Sequence, residues 1–482
     1  QQSEWRRIVI ASVLTFLCSV ENSMLAVGEW PYMSEIDPDA TASFFGTATA
    51  ISKSSHAIFA FAFAFWARKS CGMKIPLLVG RLIALSGCIC YLFVEFLQDN
   101  RRWWMLFCYV LFGAGYSASV LLRSSIARAS SPDNRTAAYA MQNGAAVLSV
   151  TVGPVGQIVF SGIPYPGITI FSDLRLSVFT APIWLALITN IIAIFFITFM
   201  FQDFEDSSPS SSEAATRFTT EETKESMNEL TEEETGAETA STTMTSVGVL
   251  RRLLSLDLPW LLIAVVIVER VVSQCALTTT QFLAGPVLTT EFALAGEEAT
   301  LALSICQCIV GVLAMLLSLS FYFFKLGNRV GCRLFFLMAN ILVVSGYLIT
   351  YPYPFLSEPI QLFNATTKLG CDPERYSWCE TQRKPNLVVF LVIVTLMLSF
   401  ALPVSNLCLD TIYSKVIGSA DQNLMQSVFV IADDVALIAT PIYASQVFAA
   451  AGYAMVQIVN GSVAFAATIL WIADWKRLGR YN

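Results

Sequence analysis

Long apolar segments alternate with short polar loops along most of the chain. The segments that we interpret as helices cover residues 8–28, 44–67, 75–97, 103–126, 137–161 and 174–201, and then 258–284, 299–324, 331–351, 387–409, 424–449 and 452–473. An apolar run of about 18 residues or more can cross the roughly 30 Å hydrocarbon core of a bilayer. Because that core offers no water to backbone groups, each crossing must be a helix. The pattern predicts an all-α membrane protein with twelve transmembrane segments.

One polar stretch divides these segments into two sets of six. Residues 202–255 are rich in Ser, Thr and Glu and lack apolar periodicity, so we expect a disordered, acidic cytoplasmic connector. The expected organisation is a six-helix half over residues 1–201, this connector, and a second six-helix half over residues 256–482. Two such bundles around a site near the bilayer midplane are typical of secondary transporters, whose halves rock against each other.

Composition removes other classes of protein. The chain is 55% hydrophobic and 13% charged, with a mean hydropathy of +0.61, which is far more apolar than a soluble protein. The net charge of −7 comes from the acidic connector, and no basic face suggests nucleic acid. His56 is the single histidine, which disfavours a His-ligated metal site or a Ser-His-Asp centre. We expect a monomer in the lipid bilayer, with no enzymatic activity, no metal and no cofactor.

The distribution of Lys and Arg predicts the orientation, because cytoplasmic loops carry an excess of both. The basic residues on the richer side are Arg6, Arg7, Arg68, Lys69, Lys74, Arg128, Arg135, Lys325, Arg329, Arg333, Lys415, Lys476, Arg477 and Arg480. The two termini and the connector lie on this same side. All three are therefore expected in the cytoplasm.

The loop between the ninth and tenth segments carries two features of a lumenal face. Asn364-Ala365-Thr366 is a sequon for N-glycosylation. Cys371 and Cys379 follow closely enough in sequence for a disulfide, which an oxidising compartment would permit. A second sequon, at Asn134, falls on the cytoplasmic side.

Ionisable residues inside the segments are the candidate functional residues, because a charge at mid-bilayer usually faces a cavity or a partner. The predicted substrate or ion cavity comprises Glu21, Lys53, His56, Arg123, Glu269, Arg270, Asp433 and Asp434. The third, sixth, ninth and twelfth segments carry charges only near their ends, such as Arg81 in the third. These four would be the outer, lipid-facing helices.

Depth along the helices suggests two ion pairs. Glu21 and Lys53 both lie about 12–14 Å from the lumenal ends of their segments, at 1.5 Å per residue. Arg270 and Asp433 both lie near the midplane. Each pair could couple transport or simply lock two helices. Asp433 and Asp434 point about 100° apart on the helix, so at most one of them faces the cavity squarely. Each neighbouring carboxylate favours protonation of the other, which suits a proton acceptor. Asp433 is therefore the candidate proton site.

Several motifs resemble those of the major facilitator superfamily, and in particular a lysosomal branch of it. They are Trp30-Pro31-Tyr32, Ile36-Asp37-Pro38, Gly113-x-Gly115, Arg123, Arg135-Thr136, Gly153-Pro154-Val155-x-Gln157, Gly370-Cys371, Trp378-Cys379, Pro403-Val404-x-Asn406, Tyr413-Ser414-Lys415 and Ser445-Gln446-Val447. The matches span nearly the whole chain outside the connector. The resemblance implies a twelve-helix carrier fold in an endolysosomal membrane, with an association with chloride conduction.

A loop motif of the same superfamily is present in one half only. Asn328-Arg329-x-Gly331-x-Arg333 resembles the motif whose charges latch the cytoplasmic helix ends in one state. The corresponding loop of the first half has Lys69 where an acidic residue is usual. Tyr109 likewise stands where proton-coupled members commonly carry an arginine. The chain therefore resembles a divergent relative.

Three functions are compatible with the sequence. A transporter that moves a small solute or anion by alternating access, with protons as a candidate coupling ion, is favoured. An anion channel built on the carrier fold is the alternative, since both need cationic residues such as Lys53 and Arg270. A non-transporting receptor or scaffold is disfavoured, because charges confined to inner helices indicate a wet cavity.

The orientation predicts a glycan at Asn364 and none at Asn134. Expression in mammalian cells should give a band that PNGase F shifts, and Asn364→Gln should abolish that shift. Asn134→Gln is the matched control and should leave it intact. Accessibility of Asn364 to a cytosolic probe would contradict the orientation.

Overall fold

The computed structural model describes residues 2–70, 72–97, 99–129, 135–171, 174–203, 259–324, 331–364, 369–417 and 422–481. The helices are α1 (Gln2–Ile36), α2 (Ala42–Lys69), α3 (Lys74–Leu92), α4 (Arg101–Ser117), α5 (Val120–Ala129), α6 (Arg135–Val159), α7 (Ala181–Phe199), α8 (Trp260–Thr290), α9 (Gly296–Phe324), α10 (Cys332–Thr350), α11 (Leu387–Leu396), α12 (Leu402–Ile417), α13 (Gln422–Ala473) and α14 (Trp475–Leu478). Two antiparallel pairs of strands join them, β1 (Ile168–Phe171) with β2 (Leu174–Leu176) and β3 (Glu358–Pro359) with β4 (Arg383–Lys384). All but the first two residues of the predicted connector lie outside the described residues.

Nine stretches of the described residues are long and apolar enough to cross a membrane. The last of them, Val428–Ala473, contains two crossings, because Gly452 has a φ of 72° and breaks α13. The more polar α2 and α6 pack into the same bundle. With these two helices, the described part of the chain supplies the twelve crossings that the apolar pattern predicted.

The predicted boundaries differ from the structure by six residues or more at several helix ends, and two of these differences affect the interpretation. The sixth segment was predicted from residue 174, but residues 174–176 form β2, and α7 begins only at Ala181. The apolar residues of this short strand extend the apolar run of the helix, so length alone could not separate them. The first segment was predicted over 8–28, whereas α1 continues to Ile36. That extension adds Glu29 to the membrane-crossing part of the chain.

The helices before the connector (α1–α7, the first group) and after it (α8–α14, the second group) belong to one compact unit. In the first group α1 packs on α6 and α7, and α3 packs on α4 and α7. In the second group α8 packs on α13, and α10 packs on α12 and α13. Between the groups, α2 contacts α13, and α9 contacts α6 and α1.

The groups meet near the end of the bundle that carries residues 351–386, here called the long-loop end. Trp30 Nε1 donates to Thr289 Oγ1 over 2.9 Å, and the rings of Phe45 and Phe282 stack with centroids 5.0 Å apart. Gly46 lies so close to α13 that a Cβ there would stand 2.0 Å from Ser445 Oγ. Glycine is therefore required where α2 crosses α13.

Helices α6 and α9, one from each group, separate toward the opposite end of the bundle, where α1 begins and α13 ends, here called the terminal end. Gly311 of α9 still touches Thr151 of α6, since a Cβ on Gly311 would lie 2.4 Å from Thr151 Oγ1. Gly144 lies two turns of α6 nearer the terminal end, and no described atom would come within 4 Å of a Cβ there. The contact between α6 and α9 thus ends near the middle of the bundle.

The long loop between α10 and α11 covers part of the long-loop end. Cys371 and Cys379 form a disulfide within it. From the same loop, Arg375 donates to the carbonyl oxygen of Ala40 over 3.3 Å, which ties the loop to the first group. Asn364 is exposed on this loop, whereas Asn134 lies outside the described residues.

Glu291 anchors the end of α8 to the break in α13. It follows directly on the apolar span Trp260–Thr290, is 2% exposed, and accepts a hydrogen bond from the backbone N–H of Tyr453 over 3.2 Å. Burial raises the pKa of Glu291 to about 8, although the hydrogen bond from Tyr453 lowers it. The folded protein therefore holds this carboxyl protonated at pH values where the unfolded chain would release the proton.

This shift predicts that stability falls as the pH rises. Between the ordinary value of 4.5 and about 8, the folded state binds the proton and the unfolded state does not, so each pH unit removes up to about 1.4 kcal/mol. The melting temperature of the purified protein should fall over this range, and Glu291→Gln should flatten the fall. Exposed Glu374→Gln is the control, and an equal flattening by it would contradict the assignment.

Candidate functional site

Glu21 pairs with Arg81 rather than with Lys53. Arg81 Nη1 lies 3.2 Å from Glu21 Oε2, and Arg81 is only 1% exposed. The guanidinium also donates to the carbonyl oxygen of Gly115 over 2.6 Å and to Asn190 Oδ1 over 3.4 Å. The predicted Glu21–Lys53 pair is therefore wrong, and Glu21 points into the first group.

The physical reason lies in the position of Arg81 along α3. The helix begins at Lys74, so Arg81 stands about two turns inside it, not at its end as the sequence analysis assumed. Its long side chain reaches across to α1 within the bundle. Depth along a helix fixes a residue's height but not the neighbour that it faces.

Lys53 instead interacts electrostatically with Glu29 of α1. Glu29 was not among the predicted residues, because the first segment was expected to end at residue 28. The ring of His56, one turn further along α2, lies 5.5 Å from that of Tyr116. His56 therefore contributes to the packing of α2 on α4.

Arg270 and Asp433 form the other predicted pair. Arg270 Nε and Nη2 donate to the two carboxylate oxygens of Asp433, each over 3.1 Å. Nη1 donates to Asn406 Oδ1 over 2.7 Å, and the guanidinium carbon lies 5.3 Å from the ring centroid of Phe429. The pair ties α8 to α12 and α13. The neighbouring Asp434 is exposed on α13.

Glu269 and Arg123 have different surroundings from those that the sequence suggested. Glu269 is fully buried and accepts a hydrogen bond from Asn340 Nδ2 of α10 over 3.2 Å, so it faces the inside of the second group. It points about 100° away from Arg270 and is not among the residues that line the cavity described below. Arg123 is exposed on α5 and interacts electrostatically with Asp410 of α12, across the two groups.

The predicted latch is only partly described, because Asn328 and Arg329 lie outside the described residues. Gly331 adopts a φ of 89° directly before α10. Arg333 Nη1 donates to the carbonyl oxygen of Trp475 over 2.8 Å, and its guanidinium lies 4.9 Å from that ring centroid. Arg333 thus fastens α10 to α14 within the second group.

A central cavity of about 170 Å³ lies between the two groups. Its polar lining residues are Asn22 and Ser23 of the first group and Gln281, Cys306, Gln307 and Thr395 of the second. The residues that line it include no Asp, Glu, Lys, Arg or His. Charged residues in the helices therefore do not indicate this cavity. The feature of the sequence that does indicate it is the presence of neutral amide side chains in apolar helices.

A larger groove, of about 420 Å³, lies on the outside of the bundle between α10 and the last part of α13. Its walls, which include Leu348, Ile458 and Phe465, are almost wholly apolar. It is remote from the ion pairs and from the interface of the two groups. The central cavity is therefore the candidate site.

The fold and this site define an all-α, multi-pass membrane protein with a cavity between two helix groups. The sequence profile of the Major Facilitator Superfamily matches residues 11–363, and the chain belongs to that family. It is accordingly a membrane transporter by family. The predicted fold class and family are confirmed.

Two kinds of relative agree with this assignment. The chain is 23% identical to Major facilitator superfamily domain-containing protein 8 of Xenopus laevis over 470 residues, which cover 93% of this chain and 86% of that protein. Its structure is similar to that of a D-xylose-proton symporter, with a TM-score of 0.65, 11% identity and 97% coverage of both chains. A nucleoside transporter, NupG, has a TM-score of 0.58 at 11% identity, with 97% of this chain and 99% of that one covered.

The buried pair of Glu21 and Arg81 predicts a specific pattern of stability. Glu21→Gln leaves the guanidinium buried without its counter-charge and should destabilise the protein by about 3–5 kcal/mol. Adding Arg81→Met should recover most of that loss, whereas adding Lys53→Met should not. Thermal unfolding of the detergent-purified variants measures the difference. Rescue by Lys53→Met instead of Arg81→Met would contradict the observed pairing.

Proposed function

We propose that the protein is a secondary transporter that moves a small solute or anion across an endolysosomal membrane by alternating access. The observation that carries this proposal is the uneven contact between the two helix groups. They are joined at the long-loop end by Trp30 and Thr289 and by the stacked Phe45 and Phe282. The contact between α6 and α9 ends between Thr151 and Gly144, toward the terminal end. A carrier open to one side requires this asymmetry.

The side to which the cavity opens follows from charge. Lys and Arg concentrate in the loops of the terminal end, which supports a cytoplasmic position for that end. The exposed sequon at Asn364 and the Cys371–Cys379 disulfide lie at the long-loop end, as expected of a lumenal face. The conformation is then open to the cytoplasm. The endolysosomal location rests on the resemblance of the loop motifs.

The ion pairs support a carrier over an anion channel. A channel for anions needs cationic side chains that remain available to the ion. Arg270 is held by both carboxylate oxygens of Asp433, and Lys53 interacts with Glu29. Asp433 neutralises Arg270, and Glu29 offsets part of the charge of Lys53, so the two predicted anion-attracting cations both have a carboxylate nearby.

Asp433 is the proposed proton site of a proton-driven cycle. Protonation of its carboxyl would remove the charge that holds Arg270 and would loosen the contact of α13 with α8. Such a change converts proton binding into a change in helix packing. The neighbouring Asp434 is exposed and is not the carboxylate that holds Arg270, so it provides a comparison for Asp433.

Flux measured in proteoliposomes tests this function. Uptake of small anions and metabolites should depend on an imposed pH gradient, and Asp433→Asn should abolish that dependence while leaving exchange at equal pH largely intact. Asp434→Asn is the matched control and should retain at least about half of the gradient-driven uptake. Unchanged gradient-driven flux in Asp433→Asn, together with a conductance that varies with the permeant anion, would favour the channel.

A further inference from the structure

We infer that the central cavity binds a small, uncharged solute rich in hydroxyl or amide groups, of about the size of a monosaccharide. This inference rests on the transport function proposed above and names its substrate class. It differs from the expectation of an anion that the family resemblance implies. Three observations carry it: the charge of the lining, the free amide groups and the volume.

The lining offers no counter-charge for an ion. Arg270 stands eleven residues before Gln281 on α8, which is about 16 Å along the helix axis, and Asp433 already holds it. Glu21 precedes the cavity residue Asn22, but its carboxylate turns to Arg81 on another face of α1. An ion in the cavity would lose its hydration without compensation, which costs several kcal/mol.

Three amide side chains converge on the cavity from both helix groups. Asn22 lies on α1, Gln281 on α8 and Gln307 on α9. Within the described part of the chain, none of the three side chains hydrogen-bonds to another residue. Each amide can donate two hydrogen bonds and accept two, which matches hydroxyl groups that both donate and accept. A solute bound to all three would contact both groups, as alternating access requires.

The rest of the cavity fits the carbon skeleton of such a solute. Ala26 and Val27 of α1 and Leu303 and Val310 of α9 supply apolar walls around the few polar groups. A volume of about 170 Å³ lies below the roughly 300–1,000 Å³ of pockets for drug-sized ligands, which limits the solute to a small molecule. Phe282 follows Gln281 directly and stacks on Phe45, on the long-loop side of the cavity.

Binding to the purified full-length protein in nanodiscs tests the inference. The uncharged probes are D-glucose, D-ribose and myo-inositol, and the charged probes are chloride, lactate and lysine. At least one uncharged probe should raise the melting temperature in proportion to its concentration. Gln281→Ala and Gln307→Ala should each weaken its binding about threefold to tenfold, since each removes one or two hydrogen bonds. Gln361→Ala, in the exposed long loop, should leave the affinity unchanged.

The failures of the two proposals can be told apart. Binding restricted to charged probes, or no binding by any uncharged probe, overturns the inference. This result is obtained with the wild-type protein, so it does not depend on the folding of a variant. Gradient-driven uptake of lactate or chloride with no binding of the uncharged probes would overturn the substrate class and leave the transporter standing. Specific binding of an uncharged probe without uptake or exchange would contradict transport and support the binding site.

Discussion

The structure depends on one constraint, that a charge inside a bilayer must be neutralised by a partner within reach. The two buried ion pairs that satisfy it each lie inside a helix group: Glu21 with Arg81 in the first group, and Arg270 with Asp433 in the second. Each pair ties helices of the same group to each other. Removing either partner would leave a buried charge unpaired, so the two pairs stabilise the helix packing within each group.

Apart from the interaction of exposed Arg123 with Asp410, the surface between the groups is made mainly of weaker and more easily exchanged contacts. Aromatic stacking, hydrogen bonds such as those of Trp30 with Thr289 and of Gln446 with Ser43, and close backbone approaches at Gly46 and Gly311 join the groups. None of these contacts buries a charge, so separating them does not incur the desolvation penalty that holds the ion pairs together. Stable bodies and a separable interface are the physical requirements of a rocking mechanism.

The fold could be predicted from the sequence because the bilayer makes segment length decisive. The same reasoning found the pair of Arg270 and Asp433, since both residues lie at one depth on neighbouring helices. It failed for Glu21, because depth does not indicate the direction of a side chain, and Arg81 reaches α1 from a helix judged to be outer. It also failed for the short strand Leu174–Leu176, which was predicted as the start of the sixth helix.

The candidate site was the least predictable part. Single Asn and Gln residues in apolar helices carry a weak signal, and only the assembled groups show that Asn22, Gln281 and Gln307 meet. Charged and neutral polar residues therefore have different proposed roles. In the proposed cycle, the paired charges hold each group and Asp433 serves as the proton site, while the neutral amides of the cavity bind the solute.

Distances between spin labels across the two ends test the rocking of rigid groups most directly. One pair, Gly144→Cys with Ser318→Cys, reports on the terminal end, and a second, Ser43→Cys with Gln446→Cys, reports on the long-loop end, in a background whose free cysteines are replaced. Across a change in pH or on binding of a transported solute, a population with a shorter terminal-end distance should appear together with a longer long-loop distance. Distances that change at both ends in the same direction, or at neither, would contradict alternating access by two rigid groups.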